Sequence, residues 1–147
     1  LSDETALEVE FGDGLHRFFL PMARIVEIER NCGDKSIVAM LDEFSLGMGW
    51  TAEQEPAFAG GGPVRIKDVA EVIRCGAIGG GMAPLEAKRL VDSYVDGRPY
   101  SETVPIAWAI LSSAIWGVRL KKKAERPEPV KPARRSARAR SSPTAAS

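Results

Sequence analysis

Residues 34–46 read Asp-Lys-Ser-Ile-Val-Ala-Met-Leu-Asp-Glu-Phe-Ser-Leu. Ile37, Met40, Leu41 and Phe44 stand at i, i+3, i+4 and i+7, the spacing of one apolar face of an α-helix, and Asp34 is placed to cap its first turn. A helix apolar on one side needs a surface to cover that side, so the rest of the chain must supply partner elements. Just upstream, Pro21 suits a first helical turn, Met22, Ile25, Ile28 and Cys32 form a second apolar stripe, and Gly33 ends it. Downstream, Gly47, Gly49, Pro56, Gly60-Gly61-Gly62 and Pro63 predict a long flexible loop over 47–63 that carries Trp50.

Helical spacing resumes at Ile66, Val69, Val72 and Ile73, with a stop expected at Gly76. Gly79, Gly80 and Gly81 then read as an interhelical turn, a backbone hinge at which alanine costs stability only where φ is positive. A further helix starts at Pro84, with Ala83 a poor cap, and runs through Ala87, Leu90, Val91 and Tyr94 to Gly97. The last helix, capped by Ser101 or Thr103, is apolar around its whole circumference, with Ile106, Trp108, Ile110, Leu111, Ile115 and Trp116. Such a helix is central or carries a partner-binding face. At the other end, residues 6–20 alternate about Asp13-Gly14, the dipeptide of a type I′ turn. That turn would pair Val9 with Phe18, Phe11 with His16, Leu7 with Leu20 and Glu10 with Arg17. The fold class is therefore mainly α, within α+β: a short N-terminal β-hairpin packed on a bundle of about five helices.

The zero net charge conceals a split. Residues 1–118 hold 18 acidic and 10 basic side chains, a charge of −8, whereas residues 119–147 hold 2 acidic and 10 basic ones, a charge of +8. From Lys121 onward the apolar pattern gives way to Lys, Arg, Pro, Ser and Ala, which cannot bury enough surface to offset chain entropy. The expected organisation is a domain over 1–120 and a disordered basic tail over 121–147.

Chemistry-bearing constellations are sparse. Cys32 and Cys75 have no C-x-x-C partner or nearby His, so reduced thiols and no metal site are expected. His16 has no nucleophile in view, and Glu27 and Glu29, two apart, point to different sides of their helix. The glycine run lacks the Lys-Ser or Lys-Thr ending of a phosphate loop, so no nucleotide cofactor is expected. Four carboxylates in the first ten residues argue against a leader, and the uncharged stretch 103–118 is too short and too interrupted to span a membrane. Lys131, Arg134, Arg135, Arg138 and Arg140 could neutralise phosphates, but no aromatic lies among them to stack on bases, so nucleic-acid binding through the arm is the alternative reading.

One segment carries a resemblance. Ile73-Arg74-Cys75-Gly76-Ala77-Ile78-Gly79-Gly80-Gly81, then Glu86-Ala87, Leu90-Val91 and Tyr94-Val95-Asp96 running into Arg98-Pro99, resembles the tail-assembly chaperone family of gene transfer agents and long-tailed phages, also described as tail tube proteins. Phe11-Gly12-Asp13-Gly14, Leu20-Pro21 and Ile25-Val26-Glu27-Ile28-Glu29 match its opening, and Val104-Pro105-Ile106-Ala107, Ile110-Leu111 and Gly117-Val118 match its last helix. The resemblance covers residues 9–119 and leaves out the long loop and the basic tail. It implies a nonenzymatic protein in the cytoplasm of a bacterial host that binds the tape-measure protein and recruits tail tube subunits, with oligomerisation left open. Trp108, Leu111, Ile115 and Trp116 are the candidate protein-binding residues, because an amphipathic helix docks through repeated apolar anchors.

Overall fold

A computed structural model describes residues 5–118, so the basic tail expected over 121–147 lies outside the described residues. The described residues form two small β-hairpins and five α-helices. The first hairpin pairs β1 (Leu7–Phe11) with β2 (Gly14–Phe18), Leu7 opposite Phe18, Val9 opposite His16 and Phe11 opposite Gly14. That register differs by two residues from the one expected, because the two-residue loop is Gly12-Asp13. Gly12 has φ +68° and Asp13 is not among the positive-φ residues, which is the pattern of a type II′ turn with glycine first. A shift of two leaves every side chain on its original face, so Leu7, Phe11 and Phe18 are buried as the alternation requires.

Helix α1 (Met22–Asn31) starts after Pro21 and buries Ile28, and Cys32 just beyond it is buried too. Met22 departs from the expected stripe: it is 79% exposed. Helix α2 (Ile37–Leu46) buries Ile37, Met40, Leu41 and Phe44, the face read from the sequence. Its cap is Ser36, whose Oγ accepts from the Ala39 N–H at 3.0 Å, and not Asp34, which takes a left-handed φ of 61° in the preceding loop. The carboxylate of Glu29 accepts from the Ile37 N–H at 3.0 Å, so two of the amides that a helix start leaves unpaired are satisfied.

The stretch 47–63 is not a structureless loop. It contains a second antiparallel hairpin, β3 (Met48–Trp50) with β4 (Pro56–Phe58), Met48 opposite Phe58. Gly47 O accepts from Ala59 N–H at 2.7 Å and Gly60 N–H at 3.2 Å, which fastens the returning strand to the end of α2. Strands of three residues are too short to declare a period, and the glycines and prolines around them mask the pairing.

Helix α3 (Ile66–Gly79) runs a turn past its expected stop, with Gly76 inside it and buried. A Cβ at Gly76 would come within 3.3 Å of both Phe18 and Ile110 side chains, so glycine is there to let the helix meet β2 and the last helix. Helix α4 (Pro84–Tyr94) begins without a side-chain cap at Ala83. Helix α5 (Tyr100–Trp116) begins after Pro99; Ser101 and Thr103 lie inside it and neither caps it. Pro105 is tolerated within α5 near its start, although it removes one helical hydrogen bond. α5 packs against α2, α3, β1 and β4, so it is the central helix, burying Val104, Ala107, Ile110 and Leu111. Phe18, Phe44, Ile28, Met40, Ile73 and Leu111 are fully buried, and each such side chain contributes about 1.5–3 kcal/mol through burial.

Candidate protein-binding surface

The four apolar residues singled out on α5 do not form one accessible stripe. Leu111 is fully buried in the core, so it can support a surface only from beneath. Trp108 is half-buried, and its indole Nε1–H donates to Ser45 Oγ at 3.1 Å, tying α5 to the end of α2. Ile115 is half-buried against the core, while Trp116, one residue further round the last turn, is 65% exposed. A helix turns about 100° per residue, which is why neighbours in sequence part so completely here.

Two exposed apolar residues on other elements, at the ends of α2 and β3, were not among the sequence candidates. Leu46 and Trp50 are each 69% exposed, Leu46 next to the Ser45 that holds Trp108 and Trp50 at the end of β3. Phe58 on β4 packs against Tyr100 of α5, ring centroids 6.4 Å apart, and Tyr100 is itself partly open. Their signal was weak: Leu46 lies off the apolar face of its helix, and Trp50 sat in a stretch read as loop. Isolated exposed apolar residues are ordinary, but two exposed tryptophans on a chain with three are not, because a large aromatic surface left in water is costly.

Gly79 is the last residue of α3, Gly80 follows it with φ −80°, and Gly81 has φ +118°. The hinge reading is corrected at the first two: a Cβ on Gly79 would overlap the Phe19 carbonyl oxygen, and one on Gly80 the Arg17 carbonyl oxygen. The Phe19 N–H donates to Gly76 O at 2.9 Å, so backbone crosses backbone at this point and side chains are excluded. Glycine is required here for close approach, and only Gly81 serves by its φ.

Two partly buried charge clusters join elements. Arg74 donates to Glu71 at 2.8 and 3.0 Å and to Glu27 at 2.9 Å, and Asn31 Nδ2 donates to Glu71 at 2.9 Å, which locks α1 antiparallel to α3. Glu27, Glu71 and Cys75 bring their ligand atoms within 4.8 Å of one another, a grouping that could hold a metal ion. The Arg74 guanidinium already neutralises both carboxylates, and burial pushes the Cys75 thiol up to about 12, so the grouping reads as an ion-pair network. Lys35 bridges Asp68 at 2.6 Å and Glu43 at 2.7 Å, linking the start of α2 to α3. Burial, and then the Asp68 carboxylate, push the Cys32 thiol up to about 12. His16 bonds Asp13 across the hairpin turn at 2.7 Å.

A helical scaffold that leaves two tryptophans in water is the build of a protein that meets other proteins. A family model described as "Phage tail tube protein, GTA-gp10" matches residues 4–117. The chain belongs to that family and has a structural or assembly role in the tail of a phage or gene transfer agent. No curated protein and no solved structure matches it. Among the described residues no helix is long and apolar enough to cross a membrane.

Proposed function

We propose that the protein is a nonenzymatic tail assembly chaperone, acting in the cytoplasm of the bacterial host, that binds the tape-measure protein and helps recruit tail tube subunits. The observation that carries this reading is the exposure of Trp116, Trp50 and Leu46 on a scaffold whose family belongs to the tail. A long amphipathic helix presents repeated apolar anchors, and exposed tryptophans on a rigid helical body are the partners such anchors need. The nonenzymatic part draws support from the side chains that could do chemistry: both thiols are buried and held protonated, and Glu27, Glu71 and Asp68 are neutralised by cations. Tail tube recruitment is the further expectation from the family resemblance.

Co-expression tests it. The full chain is produced with the tape-measure protein from the same gene cluster, and the soluble fraction is assayed for a complex. Tape-measure protein that becomes soluble and co-purifies with the chain, and less so with the Trp50→Ala/Trp116→Ala variant, is the expected result. A tape-measure protein equally soluble without the chain, with no complex recovered, would reject the chaperone role.

A further inference from the structure

At the opposite end of α5 from Trp116, the turn of the first hairpin meets the end of α4 and the start of α5. A cleft of about 340 Å³ opens there, lined by Glu10, Phe11, Tyr94, Arg98, Glu102 and Ile106. Its floor is apolar: Phe11 and Tyr94 pack edge to face with ring centroids 6.2 Å apart. Gly12 leaves the room for this, since a Cβ there would fall within 2.6 Å of the Tyr94 ring. The rim is acidic. Glu102 shares its carboxylate with Arg98 at 3.1 Å, a half-exposed pair that water screens, and Glu10 is exposed with no ion pair among the described residues. Two carboxylates therefore face one guanidinium across an aromatic and aliphatic floor.

That combination suits an arginine side chain. Its methylenes cover apolar surface, its planar head lies on an aromatic ring, and its forked donors meet a carboxylate. The chain carries such side chains outside the described residues: Arg134, Arg135, Arg138 and Arg140. The segment 119–147 has a charge of +8 against −8 for residues 1–118. Reach is sufficient. From Glu102 to Trp116, α5 spans roughly 20 Å at about 1.5 Å per residue. The 16 residues from Val118 to Arg134 can extend up to about 55 Å. Attachment to the same chain also raises the local concentration of the arm to the millimolar order, which compensates for contacts that are individually weak.

We infer that the cleft between the first hairpin's turn and the α4–α5 junction is the intramolecular docking site of the basic arm, taking an arginine from 134–140 onto Glu10, Glu102 and Tyr94. The experiment uses the full chain labelled for amide NMR, compared with its R134A/R135A/R138A/R140A variant. Differences centred on Gly12, Tyr94 and Arg98, independent of protein concentration and erased as added salt shortens screening to about 3 Å, are expected. The E10Q/E102Q variant removes exposed carboxyl charge together with the screened Arg98 pair; it should lose the same differences, and trypsin should cut its arm about three-fold faster. Cleft amides unmoved by the arm substitutions would overturn the assignment, as would an unchanged rate of arm cleavage. Differences that grow with concentration would replace it with a contact between copies, and differences that appear only on adding nucleic acid would replace it with an arm reserved for phosphate.

Discussion

Lys35 is 13% exposed and Asp68 only 2%, so this pair exchanges most of its hydration for one another and for Glu43. Desolvation opposes such a pair, but losing one member is worse, because the other is left buried without compensation. Lys35→Met should cost about 3 kcal/mol in urea unfolding, and a loss below about 1 kcal/mol would show that Asp68 finds water instead. The same site shapes the pH dependence. Burial pulls the Lys35 ammonium down, yet its hydrogen bonds to Asp68 and Glu43 outweigh burial and the net shift is upward. A raised value means stability fully present below the unfolded value of 10.5 and lost as pH rises through the folded one. Cys32 and Cys75, raised by burial from 9.0 to about 12, act in the same sense from about pH 9 upward. Burial pushes Glu71 up, but the hydrogen bonds from Arg74 and Asn31 bring it below its usual range, so its contribution is present above 4.5 and lost as pH falls through the lowered value. The urea midpoint should therefore stay level between about pH 5 and about pH 9 and fall on both sides, and a midpoint rising above about pH 9 would contradict the thiol and lysine assignments.

Among the elements, the glycine run at the end of α3 separates two physical roles. Gly80→Ala forces a Cβ into the Arg17 carbonyl, whereas Gly81→Ala meets no atom within 4 Å and pays only for a φ of +118°. Displacing backbone is the larger cost, about 3 kcal/mol against about 1 for the strained φ. Thermal unfolding of both variants distinguishes them, and a Gly81→Ala loss exceeding the Gly80→Ala loss would restore the hinge reading. Much of the architecture was legible because burial has a period: the faces of α2 and of the first hairpin follow from spacing alone. The hairpin register was not, because Gly12-Asp13 and Asp13-Gly14 are both good two-residue loops, and the Tyr94 ring packed over Gly12 is a tertiary contact that local spacing does not announce. The second hairpin left no period to read. Gly76 looked like a helix stop because intrinsic propensity is local, while the packing of Phe18 and Ile110 against it is not.

For the molecule as a whole, the candidate surface was half legible. Trp116 was visible as an apolar residue at the end of an all-round apolar helix, but which face of α5 the core would claim depends on how α2 and α3 pack, and that turned Leu111 inward. Leu46 and Trp50 gain meaning only from the exposure that the fold gives them. Binding through tryptophan and leucine should resist salt, since apolar burial does not pass through the screened part of the interaction, whereas binding through net charge would not. Calorimetric titration of the full chain with the tape-measure protein, at about 50 mM and about 500 mM salt, separates the two because the screening length shortens severalfold across that range. The expected result is an affinity that changes less than about three-fold with salt and falls about ten-fold or more in Trp116→Ala with its melting temperature unchanged. Absence of binding at both salts, or binding that vanishes at high salt and ignores Trp116, would contradict an apolar tail-assembly surface.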